Sequence, residues 1–196
     1  MKSLSNTTKL ALLIFCVIAI AMRFVGHMNL QAVGALAIFS GAVISPLWLA
    51  MIVPVAVMLV SDLAGIGFHW QTASLVYPSY MLAVFLARQW VSGWRDSASG
   101  GPHQRKPEVS VLQIAGSTFA GAALFYLITN FGAWAMMPNF YPDRSLTGIL
   151  ESYRMGLPFF RSSLAGGFVF VTVFFAMYAL MTSRVDSRAQ LADENS

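Results

Sequence analysis

The sequence predicts an all-α integral membrane protein, one compact bundle of about six transmembrane helices with both termini in the cytoplasm. Three observations carry this. Of 196 residues, 57% are hydrophobic and only 10% charged, and the mean hydropathy is +0.66, far from the balance of a soluble domain. Apolar runs that approach membrane-spanning length recur from near the N-terminus to Met181. The basic residues favour one side of alternating connections. With a cytoplasmic N-terminus, the inside holds Lys2, Lys9, Arg88, Arg95, Arg105, Lys106, Arg184 and Arg188, and the outside Arg23, Arg144, Arg154 and Arg161.

The spans follow in order. Leu10 to Val25 is the first apolar run, after the basic segment "MKSLSNTTK". The same stretch, with Ala19 and Ala21 two apart, also fits a cleaved signal peptide. Retention is favoured because Arg23, Gly26, His27 and Asn29 follow at once and read as a structured outer loop. Val33 to Ile44 is short for a bilayer that needs about 20 helical residues, so a half helix or a steeply packed one is expected. Pro46 to Ser61 and Leu75 to Val91 flank a Gly-containing outer turn, and Val109 to Thr129 and Leu164 to Met181 complete the six. Between the last two, Leu146, Ile149, Leu150, Tyr153 and Leu157 recur at helical spacing, predicting an amphipathic outer helix broken at Pro158. Residues 1–182 thus form the membrane domain, Ser92 to Pro107 a flexible cytoplasmic linker, and 183–196 a polar, frayed tail.

Composition excludes several functions. Cys16, the only cysteine, lies inside the first span, which rules out an intrachain disulfide and a Cys-based zinc or iron-sulfur site. A net charge of +4 and a pI near 9.5 fit positive-inside topology better than nucleic acid, because the basic residues sit at the ends of apolar segments. There is no nucleophile elbow, His-Glu-x-x-His pair, phosphate loop or close carboxylate pair within a span, so an enzyme is unsupported. Small residues four apart, Ala37 with Gly41, Gly116 with Ala120 and Ser117 with Gly121, suit close helix packing.

Polar residues with chemistry to offer collect on the outer side. Asp62 ends a long apolar run, where an acid must be hydrated, paired or bound; it caps a turn before Gly65 and Gly67, or it holds a ligand. His69 follows across those glycines, and the two form a weak candidate metal pair that lacks a third ligand. Asn130 in "TNFGAW" either caps its own helix or offers its amide to a ligand. Trp134 beside it fits an interfacial aromatic belt. Arg161 snorkels to headgroups or meets an anionic ligand.

Four segments in this order, "MNLQAVGALAIFSGAVI", "PVAVMLVSDLAGIGFH", "TNFGAW" and "YRMGLPFFRSSLAGG", spanning roughly residues 28 to 170, resemble a family of bacterial inner-membrane proteins similar to the S components of energy-coupling factor transporters. The resemblance implies a multi-pass inner-membrane protein that captures a vitamin-like nutrient or a metal ion from outside. It implies no cofactor in this chain and ATP only through partner ATPases, reached by a transmembrane coupling subunit. One feature of those components is missing: an Ala-x-x-x-Ala pattern in the first span, where Phe15 follows Ala11 and Arg23 follows Ala19 at that spacing. The implied site takes in Asn29, Asp62, His69, Asn130, Trp134, Tyr153 and Arg161. Besides membrane lipid and a small-molecule ligand, no nucleic acid partner is expected. Two other classes stay open, a membrane scaffold whose outer loops dock a protein, and a membrane enzyme using Asp62 and His69.

Overall fold

The computed structural model describes residues 4–25, 32–91 and 110–194, with side chains as far as 185. They form six helices: α1 Asn6–Phe24, α2 Ala32–Val43, α3 Leu47–Ser61, α4 Trp70–Trp90, α5 Val111–Met136 and α6 Leu146–Glu194. Among the described residues there is no strand. Four segments are long and apolar enough to cross a membrane: Asn6–Phe24, Leu47–Ile66, Val111–Met136 and Leu146–Val185. Large apolar side chains such as Leu13, Val17, Ile52, Val60, Phe119, Val169 and Leu180 lie exposed on the outside of the bundle. In water that surface would be a liability; against lipid it is solvated, so the chain is a membrane protein.

The short second helix is the centre of the bundle. It is apolar all round, eleven of its twelve residues are buried, and it touches each of the other five helices. Phe39 gathers the aromatic core, with Phe15 of α1 at 5.0 Å and Phe175 and Tyr178 of α6 each at 5.3 Å between ring centroids. Gly41 lets α4 approach until a Cβ there would collide with the Val84 backbone, and Gly121 of α5 faces Ala83 and Ile38 in the same way, less tightly. The small-residue pairs predicted from spacing therefore serve the bundle's own packing.

Two polar contacts complete α2. The Arg88 guanidinium of α4 donates to the Ile44 carbonyl at 3.1 Å, just past the last turn of α2, where helix carbonyls lack intrahelical partners. The fully buried Ser40 hydroxyl lies 3.1 Å from its own Ala37 carbonyl and 3.0 Å from the Ala50 carbonyl of α3. That second contact has a specific cause. Pro54 has no N–H, so the carbonyl four residues earlier, Ala50, loses its helical donor, and Ser40 supplies one from the neighbouring helix.

Several boundaries differ from the sequence expectations. α5 runs on to Met136, so "TNFGAW" lies inside a helix rather than where one ends. α6 is a single helix of 49 residues; Pro158 does not break it, and 183–194 continue it rather than fraying. The physical reason is that Pro158 lies on an exposed face, where the Arg154 carbonyl it orphans can be solvated. Tyr153 and Phe160, on either side of it, both pack on Tyr126 of α5, which keeps the axis in line. The linker Ser92 to Pro107 and Asn29 lie outside the described residues. Thr8 near the start of α1 and Tyr178 far along α6 share a buried hydrogen bond of 2.9 Å, so those two parts of the chain lie at one end of the bundle.

Ser40→Ala should cost about 1–3 kcal/mol by stranding the Ala50 carbonyl. Pro54→Ala in that background should recover most of it by restoring the N–H, and unfolding of the four proteins of the cycle in detergent measures the coupling. Gly41→Val should lose roughly 1–3 kcal/mol in the same assay, whereas Gly34→Ala, whose new Cβ would meet only Tyr80 at ordinary contact distance, should be tolerated.

Candidate functional site

A cavity of about 480 Å³ opens at the end of the bundle where α1, α3 and α5 finish and α4 and α6 begin. Its wall on the α1 and α3 side holds Arg23, Met58 and Asp62. Arg23 and Asp62 form an ion pair with side chains 20% and 9% exposed, and the Tyr77 hydroxyl of α4 donates to the second carboxylate oxygen at 2.8 Å. One carboxylate thus ties the ends of α1 and α3 to α4, two turns in from its start. Arg23 also points an Nη at the Met58 sulfur, while its Nε is buried without a partner.

The chain can present Asp62 there because the turn after it is unusual. Asp62–Ile66 is a π-helical turn closed by the Gly67 N–H on the Asp62 carbonyl at 3.0 Å, and Gly65 and Gly67 have φ of 139° and 100°. Side chains rarely adopt those values, so the two glycines are what allow His69 to return to the cavity rim. His69 itself is exposed.

The opposite wall comes from α5 and α6. Asn130 donates its amide to the Tyr126 carbonyl at 2.8 Å, and Gly156 of α6 packs directly against that amide. Ser152 donates to the Asn130 carbonyl at 2.7 Å. Two tyrosines then clasp the helices reciprocally: the Tyr126 hydroxyl donates to the Tyr153 carbonyl at 2.6 Å and the Tyr153 hydroxyl to the Leu127 carbonyl at 3.0 Å. Between the walls, Tyr80 lies 5.2 Å from Phe125 and Tyr126 lies 5.0 Å from Phe160, both as tilted ring pairs, and Thr129 and Ser163 add hydroxyls.

Of the residues singled out from the sequence, Asp62, His69 and Asn130 share this cavity. Trp134, Tyr153 and Arg161 do not line it. Trp134 anchors the loop between α5 and α6: its indole N–H donates to the Asp143 carbonyl at 2.9 Å, and Arg144 bonds the Trp134 carbonyl while lying over its ring. The Asp143 carboxylate in turn caps Ser145 through its N–H and hydroxyl, which holds this acid below the usual carboxylate range. Tyr153 braces the wall from behind, and Arg161 is exposed. Sequence reasoning missed Arg23, Tyr77, Tyr80 and Tyr126 as wall residues. A signal existed for the first: a cation in the last turn of an apolar span and an acid at the end of another need a partner, and each can be the other's.

Among the described residues, no three or more His, Cys, Asp or Glu side chains gather closely enough to hold a metal ion, and both Asp62 oxygens already accept hydrogen bonds. What the cavity offers is ring faces with hydroxyl, amide and imidazole groups at their edges, a set suited to holding a small molecule by directed hydrogen bonds and stacking.

Comparison with protein families matches residues 3–190 to a model described as "Family of unknown function (DUF6580)". No curated protein matches the chain, and no solved structure does.

Arg23→Met should destabilise the protein by about 3–5 kcal/mol, because the buried Asp62 carboxylate loses its counter-charge. Arg23→Met combined with Asp62→Asn should recover most of that loss. Thermal unfolding of both variants in one detergent gives the comparison.

Proposed function

The chain belongs to this family of unknown function, and on that premise we propose that it captures a small polar, vitamin-like molecule from the outer face of a bacterial inner membrane. The observation that carries the proposal is the cavity, within the size range of small-molecule sites and open at one end of a membrane bundle. Asn130, Thr129 and Ser163 would direct hydrogen bonds to the ligand from one wall, His69 from the rim, and the tyrosines and phenylalanines would stack on it. The charge bias of the connections supports an outward cavity with cytoplasmic termini in a multi-pass arrangement.

Binding is then the chemistry of this chain, and energy for uptake would come from a coupling subunit and its ATPases, as the resemblance to S components suggests. The inward face of α1 is not free for such a subunit, since Ala11, Phe15 and Ala19 are buried against the bundle. A coupling contact would use other residues.

Native mass spectrometry of the protein in mild detergent should show a small molecule bound to it. Ala133→Phe, which projects a ring into the cavity from α5, should reduce its occupancy by about tenfold or more while the ligand-free protein unfolds at the same temperature as ligand-free wild type. Undiminished occupancy would place the ligand elsewhere. A stoichiometric protein partner with no small molecule would favour the scaffold reading, and a bound metal found by elemental analysis the enzyme reading.

A further inference from the structure

We propose that the Arg23–Asp62 pair sets the cavity's charge to zero and thereby selects an uncharged, ring-bearing ligand; this rests on the capture reading and narrows its ligand class. Among the described residues that line the cavity, Arg23 and Asp62 are the only formally charged side chains apart from the titratable His69 at the solvent-exposed rim. The other charges near this end are held outside it. Glu151 and Arg154 form an exposed pair with each other, Arg144 is engaged with Trp134, and Arg161 is exposed off the lining.

A charged ligand entering this cavity gives up water and needs a counter-charge in return. Neither member of the pair can supply one cheaply. An anion that draws Arg23 away leaves the Asp62 carboxylate buried with only the Tyr77 hydroxyl, and a cation that takes Asp62 leaves Arg23 buried with the Met58 sulfur. A neutral ligand with a polar edge meets no such penalty. The rings of Tyr80, Phe125, Tyr126 and Phe160 then offer faces to a flat ligand, and Asn130 and Ser163 offer edges to its donors and acceptors.

Three probes of nearly the same shape test this at neutral pH: benzamide, uncharged; benzoate, an anion; and benzamidinium, a cation. Calorimetric titration of the full chain in detergent should show benzamide binding at least about tenfold more tightly than either ion. Asp62→Asn, which leaves Arg23 uncompensated, should bring benzoate ahead of benzamide. Arg23→Met with Asp62→Asn, neutral again, should restore benzamide to first place, and it keeps the test decisive if the single variant fails to fold. Wild-type protein that binds an ion as tightly as benzamide overturns this inference and leaves capture standing, as does an order of preference unmoved in folded Asp62→Asn. If none of the three binds wild-type protein and no small molecule co-purifies with it, capture fails and this inference with it.

Discussion

The structure depends on a helix that touches neither water nor a continuous face of lipid. α2 is too short to span a bilayer by itself and is enclosed by five others, so every backbone group that its ends or its neighbours' prolines leave unpaired must be served by protein. Arg88 and Ser40 are the answers, one just past the end of α2 and one in its last turn. Ser40 is a polar side chain in a fully buried position where composition alone would place an apolar one. The close approach of α4 at Gly41 follows from the same enclosure: five helices can surround a sixth only where side chains are small enough to let the backbones meet.

Packing around α2 also explains where the cavity is. Aromatic packing around Phe39 fills the bundle toward the end where Thr8 meets Tyr178, while toward the other end α4, α5 and α6 part around Tyr80 and Tyr126. The charges sit on the wall of that opening. Arg23 and Asp62 belong to two helix ends that would otherwise be free to splay, and a buried ion pair with a tyrosine across it holds them to each other and to α4. The groups that shape this side of the opening are therefore also the groups that join α1, α3 and α4, which couples the cavity to the stability of the fold.

Much of this was legible in the sequence, and the parts that were not share a cause. Six spans and a separate outer helix were expected; six helices are present because the outer helix and the last span are one, and α2 and α3 lie close to their predicted limits, because apolar runs bounded by Pro, Gly and charge are local signals. The convergence of Asp62, His69 and Asn130 was legible from alternating topology. The pairing of Arg23 with Asp62 was only half legible, since each sits at a span end where a charge gains from a partner, yet 39 residues separate them and nothing local joins the two. The helix through "TNFGAWAM" was hidden as well. Its Asn, Gly and aromatic residues read as a loop, yet Gly132 lets Leu75 of α4 lie against it and Gly156 lets α6 lie against Asn130, so packing on two sides overrides local preference. The continuity of α6 across Pro158 depends on which face the ring occupies, and periodicity does not report that across a proline.

At about 1.5 Å per residue the 49 residues of α6 measure about 73 Å, more than twice the hydrocarbon thickness of about 30 Å. It contributes Gly156, Phe159, Phe160 and Ser163 to the cavity and, five turns or so later, Tyr178 to the far end. Pro158 removes one backbone hydrogen bond within the stretch that forms the cavity wall, and the packing of Tyr153 and Phe160 on Tyr126 carries the helix across it. α6 is thus a single rod shared by the cavity wall and the far end of the bundle, so the two ends of the molecule are built on one element.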